Sequence, residues 1–264
     1  SNQTEFSLHY QPIMQARDES IASFEALMRF RTPSGNFLNT ARMIEAAETS
    51  GQITEIGAWM FKSAFAEFSK MTGFPDDVRL NVNLSPRQVQ ANRIYKDIED
   101  AASAADLPLN RLVFEVTEGL FISNDQITLS LLTWLRNKGA KIVIDDFGTG
   151  YSSFSYLRKL PVDGIKIDRS FINAFENSSQ DAKTVIKTII GLGRQLQMQV
   201  TVEGVETVHQ VDFVDGVDAD QVQGFFFSRA IPPAELGTYL KEDARRKDAS
   251  SAPEEPVLIP SRSN

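Results

Sequence analysis

The spacing of the β-patterned runs is the tightest constraint on this chain. Two of them, Phe6–Ile13 and Ile21–Phe30, are separated only by a polar stretch that contains Gln15-Ala16-Arg17-Asp18-Glu19. So short a gap suits a hairpin, so this pair is expected to be antiparallel. Six more runs succeed them: Val78–Leu84, Arg111–Thr117, Ala140–Asp146, Gly164–Asp168, Gln199–Gly204 and Val222–Phe227. Longer helical segments lie between them, and strands that alternate with helices build a parallel sheet. The expectation is an α/β fold: a modified (β/α)8 TIM-type barrel with an antiparallel first strand.

The helical segments carry their own punctuation. Ser85 followed by Pro86 reads as an N-cap and a first helical residue. Ala182, Val185, Ile186, Ile189 and Leu196 form an apolar stripe at helical spacing within Ser179–Leu196. Asn137-Lys138-Gly139 reads as a helix stop before the fifth strand. From about Asp248 the pattern ends, and Pro253, Pro256 and Pro260 interrupt the remaining residues. Residues 1–247 are therefore expected to form one barrel and residues 248–264 a flexible tail. The 264 residues, 42% of them hydrophobic, suffice for one such core.

Composition narrows the chemistry. The formal net charge is −8, with 35 Asp and Glu against 27 Lys and Arg. No basic cluster stands out, so a nucleic-acid polymer is not the expected partner. An anionic substrate would need bound cations to neutralise it. The chain has no Cys and only two His, His9 and His209. Thiolate metal sites are excluded and a His-rich zinc site is implausible, so any metal is expected among oxygens, which suits Mg²⁺ or Mn²⁺. The lack of Cys fits a reducing compartment, and the expected location is the cytoplasm. No apolar stretch approaches the ~18 residues of a spanning helix. The chain starts Ser1-Asn2 without Met, and we expect it to be a piece of a longer protein, whether free or membrane-associated.

Side chains alternate across a strand, so parity assigns faces. Phe24 and Ala26, Leu80 and Val82, Phe114 and Val116, Ile142 and Ile144, Ile165 and Ile167, and Val200 and Val202 form apolar faces suited to packing under helices. The opposite faces point into the barrel. They carry Glu25, Asn83, Glu115, Asp145, Lys166, Asp168, Glu203 and Gln223, mostly near the C-terminal strand ends. A structural barrel fills its interior with branched aliphatic residues. Converging carboxylates repel one another and resist ionisation, and cations relieve that repulsion. Any one of these acids alone is compatible with a solvent-facing strand end. The agreement of the full polar set across seven strands points to an oxygen-ligand metal site at the C-terminal mouth. Asn81, Thr117 and Thr201 read as hydrogen-bonding spacers, and His9 and His209 as structural or solvent-facing.

The same residues carry a resemblance. Glu25-Ala26-Leu27 with Arg29 resembles the signature of the EAL-domain cyclic di-GMP phosphodiesterases. The likeness extends, in the family's order, through Tyr10-Gln11-Pro12-Ile13, Asn81-Val82-Asn83-Leu84-Ser85, Glu115-Val116-Thr117-Glu118, Asp145 to Ser153, Lys166 to Phe171, Glu203 to Thr207 and Gln223 to Ser228. It implies that Glu25, Asn83, Glu115 and Asp145 hold a first divalent cation. Asp145 would bridge to a second, completed by Asp146 and Glu203. Glu25, Glu203, Lys166 and Glu118 would form the catalytic group. In it, Lys166 lies near the attacking water and Glu118 braces the loop Asp146–Ser153. Gln11, Leu27, Arg29, Asn83, Asp168 and Gln223 would contact substrate, Arg29 through a phosphate. Departures from the family pattern are mild: Ser23, Met28, Phe30, Val202 and Ala230 replace commoner residues, and none removes a ligand.

The resemblance implies hydrolysis of cyclic di-GMP to linear 5′-pGpG, which ends a bacterial second-messenger signal. Lys166 is open between two roles, base and water orienter. A receptor that binds the nucleotide without cleaving it is the rival reading, and an enolase-type barrel with a Lys base is a third. The family also implies a homodimer through Tyr151 to Leu160 and regulation by further domains.

Overall fold

The computed structural model of the protein describes residues 5–32, 34–121, 126–149, 157–176 and 180–250. Eight strands close into a barrel in sequence order. They are β1 (Glu5–Gln15), β2 (Ile21–Arg31), β3 (Arg79–Leu84), β4 (Leu112–Thr117), β5 (Lys141–Phe147), β6 (Gly164–Ile167), β7 (Gln199–Glu203) and β8 (Gln221–Gln223). β1 runs antiparallel to both neighbours, and every other pairing is parallel. The expected barrel with its reversed first strand is the fold observed.

The described helices are α1 (Thr40–Ser50), α2 (Ile53–Phe68), α3 (Pro86–Val89), α4 (Ile94–Ala104), α5 (Gln126–Asn137), α6 (Arg169–Glu176), α7 (Gln180–Gln195), α8 (Val208–Asp215) and α9 (Pro233–Ser250). Their ends reflect local chemistry. Ser85 caps α3 in a capping box with Gln88, and Pro86 opens the helix. After α5, Gly139 takes φ +93°, a conformation that glycine adopts without steric penalty. α9 carries the chain through Ser250, past the expected boundary at Asp248. The rest of the expected tail lies outside the described residues, as does most of the segment Tyr151 to Leu160. Among the described residues no helix is long and apolar enough to cross a membrane.

The core lies between strands and helices. Phe24, Leu80, Val82, Phe114, Ile142, Ile165 and Val202 are fully buried on the outer face of the barrel. They share one apolar cluster with Phe61 and Phe65 of α2, Ile98 of α4, Leu131 and Leu135 of α5 and Ile186 of α7. Phe114 meets Phe61 edge-on, their ring centroids 6.4 Å apart. Each such side chain contributes about 1.5–3 kcal/mol by leaving water. The apolar parity read from the sequence therefore points outward, and the polar parity is left to line the interior.

Two strand ends differ from expectation. β8 stops at Gln223 rather than Phe227. A Cβ on Gly224 would lie 2.0 Å from the Val205 carbonyl oxygen, so only glycine fits there. The chain then turns, with Phe227 N–H and Ser228 N–H both donating to Gly224 O. The apolar run after Gln223 is a turn that leaves Phe225 and Phe226 exposed. β6 ends one residue early, and Asp168 instead accepts from Ser170 N–H at 3.0 Å at the start of α6. Phe114→Ala is expected to cost about 3–5 kcal/mol, because it opens a cavity between β4 and α2. Denaturant unfolding of the two proteins measures this, and a loss under about 1 kcal/mol would contradict the packing.

Candidate active site

The inward faces converge on Lys166, which is 1% exposed. Its Nζ lies 2.6 Å from Glu203 Oε1, 3.0 Å from Glu115 Oε2, 3.2 Å from Glu25 Oε2 and 3.5 Å from Asp145 Oδ1. β2, β4, β5 and β7 thus each deliver one carboxylate to an ammonium on β6. Two amides complete the ring: Asn83 donates to Glu25 Oε1 at 2.9 Å and Gln223 to Glu25 Oε2 at 2.8 Å. Asn81, expected as a spacer, donates to Glu115 Oε1 at 2.7 Å. Thr201 does act between strands, donating to Gln221 at 3.1 Å.

Alternation alone would turn Asp146 away from Asp145. The backbone breaks that rule. Asp146 takes φ +53°, and the β5–β6 register shifts between Ile144 and Phe147. A bulge of this kind re-aims a side chain, and Asp is among the residues that tolerate the left-handed conformation. Carboxylate oxygens of Asp145, Asp146 and Glu203 consequently come within 4.8 Å of one another. Glu118 accepts a hydrogen bond from Gly148 N–H at 3.2 Å, just beyond the doublet. That contact suits the expected brace.

Charge imbalance marks the electrostatics. Burial opposes the charge on Lys166, but Asp145, Glu115, Glu203 and Glu25 outweigh it and hold the ammonium well above its usual range. Burial also opposes ionisation of Glu25, yet Lys166 and the Gln223 and Asn83 amides hold that carboxyl low. Glu115 is pushed up by burial and by the Glu25 charge. Glu203 is raised to about 8, chiefly by burial, despite Lys166, with Asp145 and Glu25 adding repulsion. Burial and then the Asp145 and Asp168 charges raise Asp146 to about 6.

These residues fit a hard divalent cation. The donors are all oxygen or amide groups, and Asp145 Oδ1 is buried without a hydrogen-bond partner. Four carboxylates share one ammonium. Asp145, Asp146 and Glu203 are close enough to share an ion. Glu25, Asn83 and Glu115 of the expected first set adjoin them, tied together through Lys166, Asn81 and Gln223.

A cleft of about 290 Å³ opens over this floor, lined by Gln11, Glu25, Leu27, Arg29, Asp145, Arg169, Glu203, Glu206, Gln223 and Phe225, among others. Gln11 is fixed by donating to Ser228 O at 3.1 Å. Of the expected substrate contacts, Gln11, Leu27, Arg29 and Gln223 line the cleft; Asn83 and Asp168 do not, Asn83 being bound to Glu25 and Asp168 to Ser170 N–H. Arg169, Glu206 and Phe225 have no part in the site expected from sequence. Glu206 stands inside the motif Glu203 to Thr207, which is the signal that could have found it. His9 and His209 lie elsewhere, against Phe37 and Phe175.

Because a cation needs the ionised carboxylates, its binding must displace protons from raised groups. Between the values for Asp146 and Glu203, about 6 and about 8, affinity is expected to rise with pH and then level off. Mn²⁺ calorimetry at about pH 7 in two buffers of different ionisation enthalpy reads this directly. Proton release shows as buffer-dependent heat, and identical heats would contradict the raised carboxyls.

Comparison with known proteins agrees with the geometry. The EAL domain profile matches residues 1–230. NbdA of Pseudomonas aeruginosa, a cyclic di-GMP phosphodiesterase, is 36% identical over 247 residues, covering 93% of this chain and 31% of that protein. The PaMucR phosphodiesterase structure, a c-di-GMP complex, has a TM-score of 0.83 at 34% identity and covers 88% of this chain and 94% of that one. The manganese and cyclic di-GMP complex of Klebsiella pneumoniae BlrP1 has a TM-score of 0.75 at 27% identity, covering 86% and 56%. The chain spans about a third of the length of the curated relatives it matches, 34% for the protein sll1895 of Synechocystis. With its fold, its motifs and a profile match over most of its length, the chain belongs to the EAL domain family.

Proposed function

We propose that this domain hydrolyses cyclic di-GMP to linear 5′-pGpG with two divalent cations, Mg²⁺ or Mn²⁺. The observation that carries the reading is the ring of buried Glu25 and Glu115 and half-buried Asp145 and Glu203 around Lys166, with Asp146 close to the last two, below a cleft lined by Gln11 and Arg29. Its relatives include a named cyclic di-GMP phosphodiesterase and a manganese and cyclic di-GMP complex.

Hydrolysis joins a water oxygen to phosphorus, breaks the P–O3′ bond and returns a proton to the leaving oxygen. When bound, the cations would neutralise the phosphate and acidify that water. Glu25, Asn83, Glu115, Asp145, Asp146 and Glu203 would hold them, Asp145 being shared between the two. The carboxylates around Lys166 favour its charged form. Lys166 therefore suits orienting the water and stabilising developing charge better than accepting a proton. Arg29 would take a substrate phosphate, with Gln11, Leu27, Asp168 and Gln223 positioning the nucleotide. Glu118, bound to Gly148 N–H, would keep the loop after Asp146 in its active shape.

We place this activity in the cytoplasm, within a longer regulated protein, and in a homodimer formed through Tyr151 to Leu160. Residues 1–247 would be the catalytic unit.

Chromatography of cyclic di-GMP incubated with the protein and Mg²⁺ is expected to give pGpG. EDTA or Glu25→Ala should cut turnover at least about 100-fold. Tight binding with intact nucleotide would make the domain a receptor, and cleavage unaffected by EDTA would end the two-cation reading. Glu118→Ala is expected to lower kcat about 10–100-fold, as loss of a supporting contact around a metal does. Unchanged turnover and metal affinity in that variant would refute the brace.

A further inference from the structure

β3 turns two amides into the barrel, and they serve different carboxylates. Asn83 donates to Glu25, while Asn81 donates to Glu115 Oε1 at 2.7 Å. In the β3–β4 register Asn83 stands beside Glu115 and Asn81 beside Val113, so the Asn81 amide reaches Glu115 from the layer beneath. Both groups are buried, Asn81 at 4% and Glu115 at 1% exposure. The other Glu115 oxygen, Oε2, accepts from Lys166 at 3.0 Å. One oxygen is therefore held from below and the other from the centre of the site.

With Glu115 ionised, as holding a cation requires, the amide has one workable orientation, because turning Oδ1 toward the carboxylate would set acceptor against acceptor. Nδ2 is thus committed to the carboxylate, and Oδ1 is left without a protein hydrogen-bond partner. The same side chain lines a cavity of about 170 Å³ with Ser23, Thr201 and Gln221, on the side of the barrel away from the mouth. Among the described residues, the bond from Nδ2 to Glu115 is thus the one protein hydrogen bond of the Asn81 side chain, and it joins two buried groups.

We propose that Asn81 is a positioning residue for the cation site: it fixes the rotation of the Glu115 carboxylate and is not itself a ligand. The inference rests on the two-cation reading above. Groups that hydrogen-bond a ligating carboxylate set its orientation and basicity. A side chain that only filled space would be replaced by Leu at little cost, since Leu is similar in size and has no donor. Ser keeps a donor, and the polar cavity leaves room for a water to relay it.

Mn²⁺ titration calorimetry on wild type, Asn81→Leu and Asn81→Ser tests this, alongside Mn²⁺-dependent cyclic di-GMP turnover and metal-free melting. Asn81→Leu is expected to weaken Mn²⁺ binding about 10–100-fold. It should raise the Mn²⁺ needed for half-maximal turnover equally, with KM for the nucleotide near wild type at saturating Mn²⁺. Asn81→Ser should recover most of the affinity. Wild-type Mn²⁺ affinity in Asn81→Leu overturns the proposal. If Asn81→Leu does not fold, Asn81→Ala takes its place: a loss of Mn²⁺ affinity of about 10-fold or more that Asn81→Ser recovers supports the role, and wild-type affinity in Asn81→Ala overturns it. Wild type that binds Mn²⁺ but leaves cyclic di-GMP intact overturns the functional reading alone, because the titrations still decide for Asn81. Wild type that binds no Mn²⁺ overturns both.

Discussion

The ammonium of Lys166, closed in among Glu25, Glu115, Asp145 and Glu203, is the interaction on which the interior depends. Either partner alone would be untenable there: a buried lysine sheds its proton, and buried carboxylates take protons up. Together they stay partly charged, and they tie five strands to one point. The exchange does not balance, since four acids face one base. The surplus is borne by Glu115 and Glu203, whose carboxyls are pushed upward. The demand for added positive charge is thus built into the barrel. It also explains why this interior holds polar groups where a purely structural barrel would hold aliphatic ones.

Much of this could be read from the chain, because strand alternation is rigid. Parity placed Glu25, Glu115, Asp145, Lys166, Glu203 and Gln223 on one inner surface, and the structure brings them together there. The hairpin at Gln15–Glu19 and the cap at Ser85 obey equally local rules. Each residue that escaped parity did so for a physical cause. Asp146 depends on a backbone inversion that only a three-dimensional register reveals. Phe225 to Phe227 has the composition of a strand, but Gly224 packs on the Val205 backbone and forces a turn. Asn81 looks like a spacer because its partner, Glu115, is distant in sequence. Asp168 falls off the strand because it is used to start α6.

Arg29 and Arg169 flank the cleft above the acids. A chain of net charge −8 thereby presents cationic side chains where an anion would enter and acidic ones where cations would bind. The exposed Arg169 and half-buried Arg29 share this cleft with the buried Glu25 and the exposed Glu206, so both signs of charge are within reach of one bound molecule.

The reversed first strand has a mechanical corollary. β1 and β2 pair from Glu5 opposite Arg31 down to Gln11 opposite Glu25. The ribbon therefore projects about 20 Å beyond the Glu25 level, at roughly 3.4 Å per residue. It packs against α2, where Phe6 meets Trp59 and Tyr10 donates to Glu67, with Glu25 at its inner end. A torque applied near Glu5 would be conveyed along a continuous hydrogen-bonded ladder to Gln11 and Glu25. The paired strands thus couple an exposed end at Glu5 to the acidic interior at Glu25 as one mechanical unit.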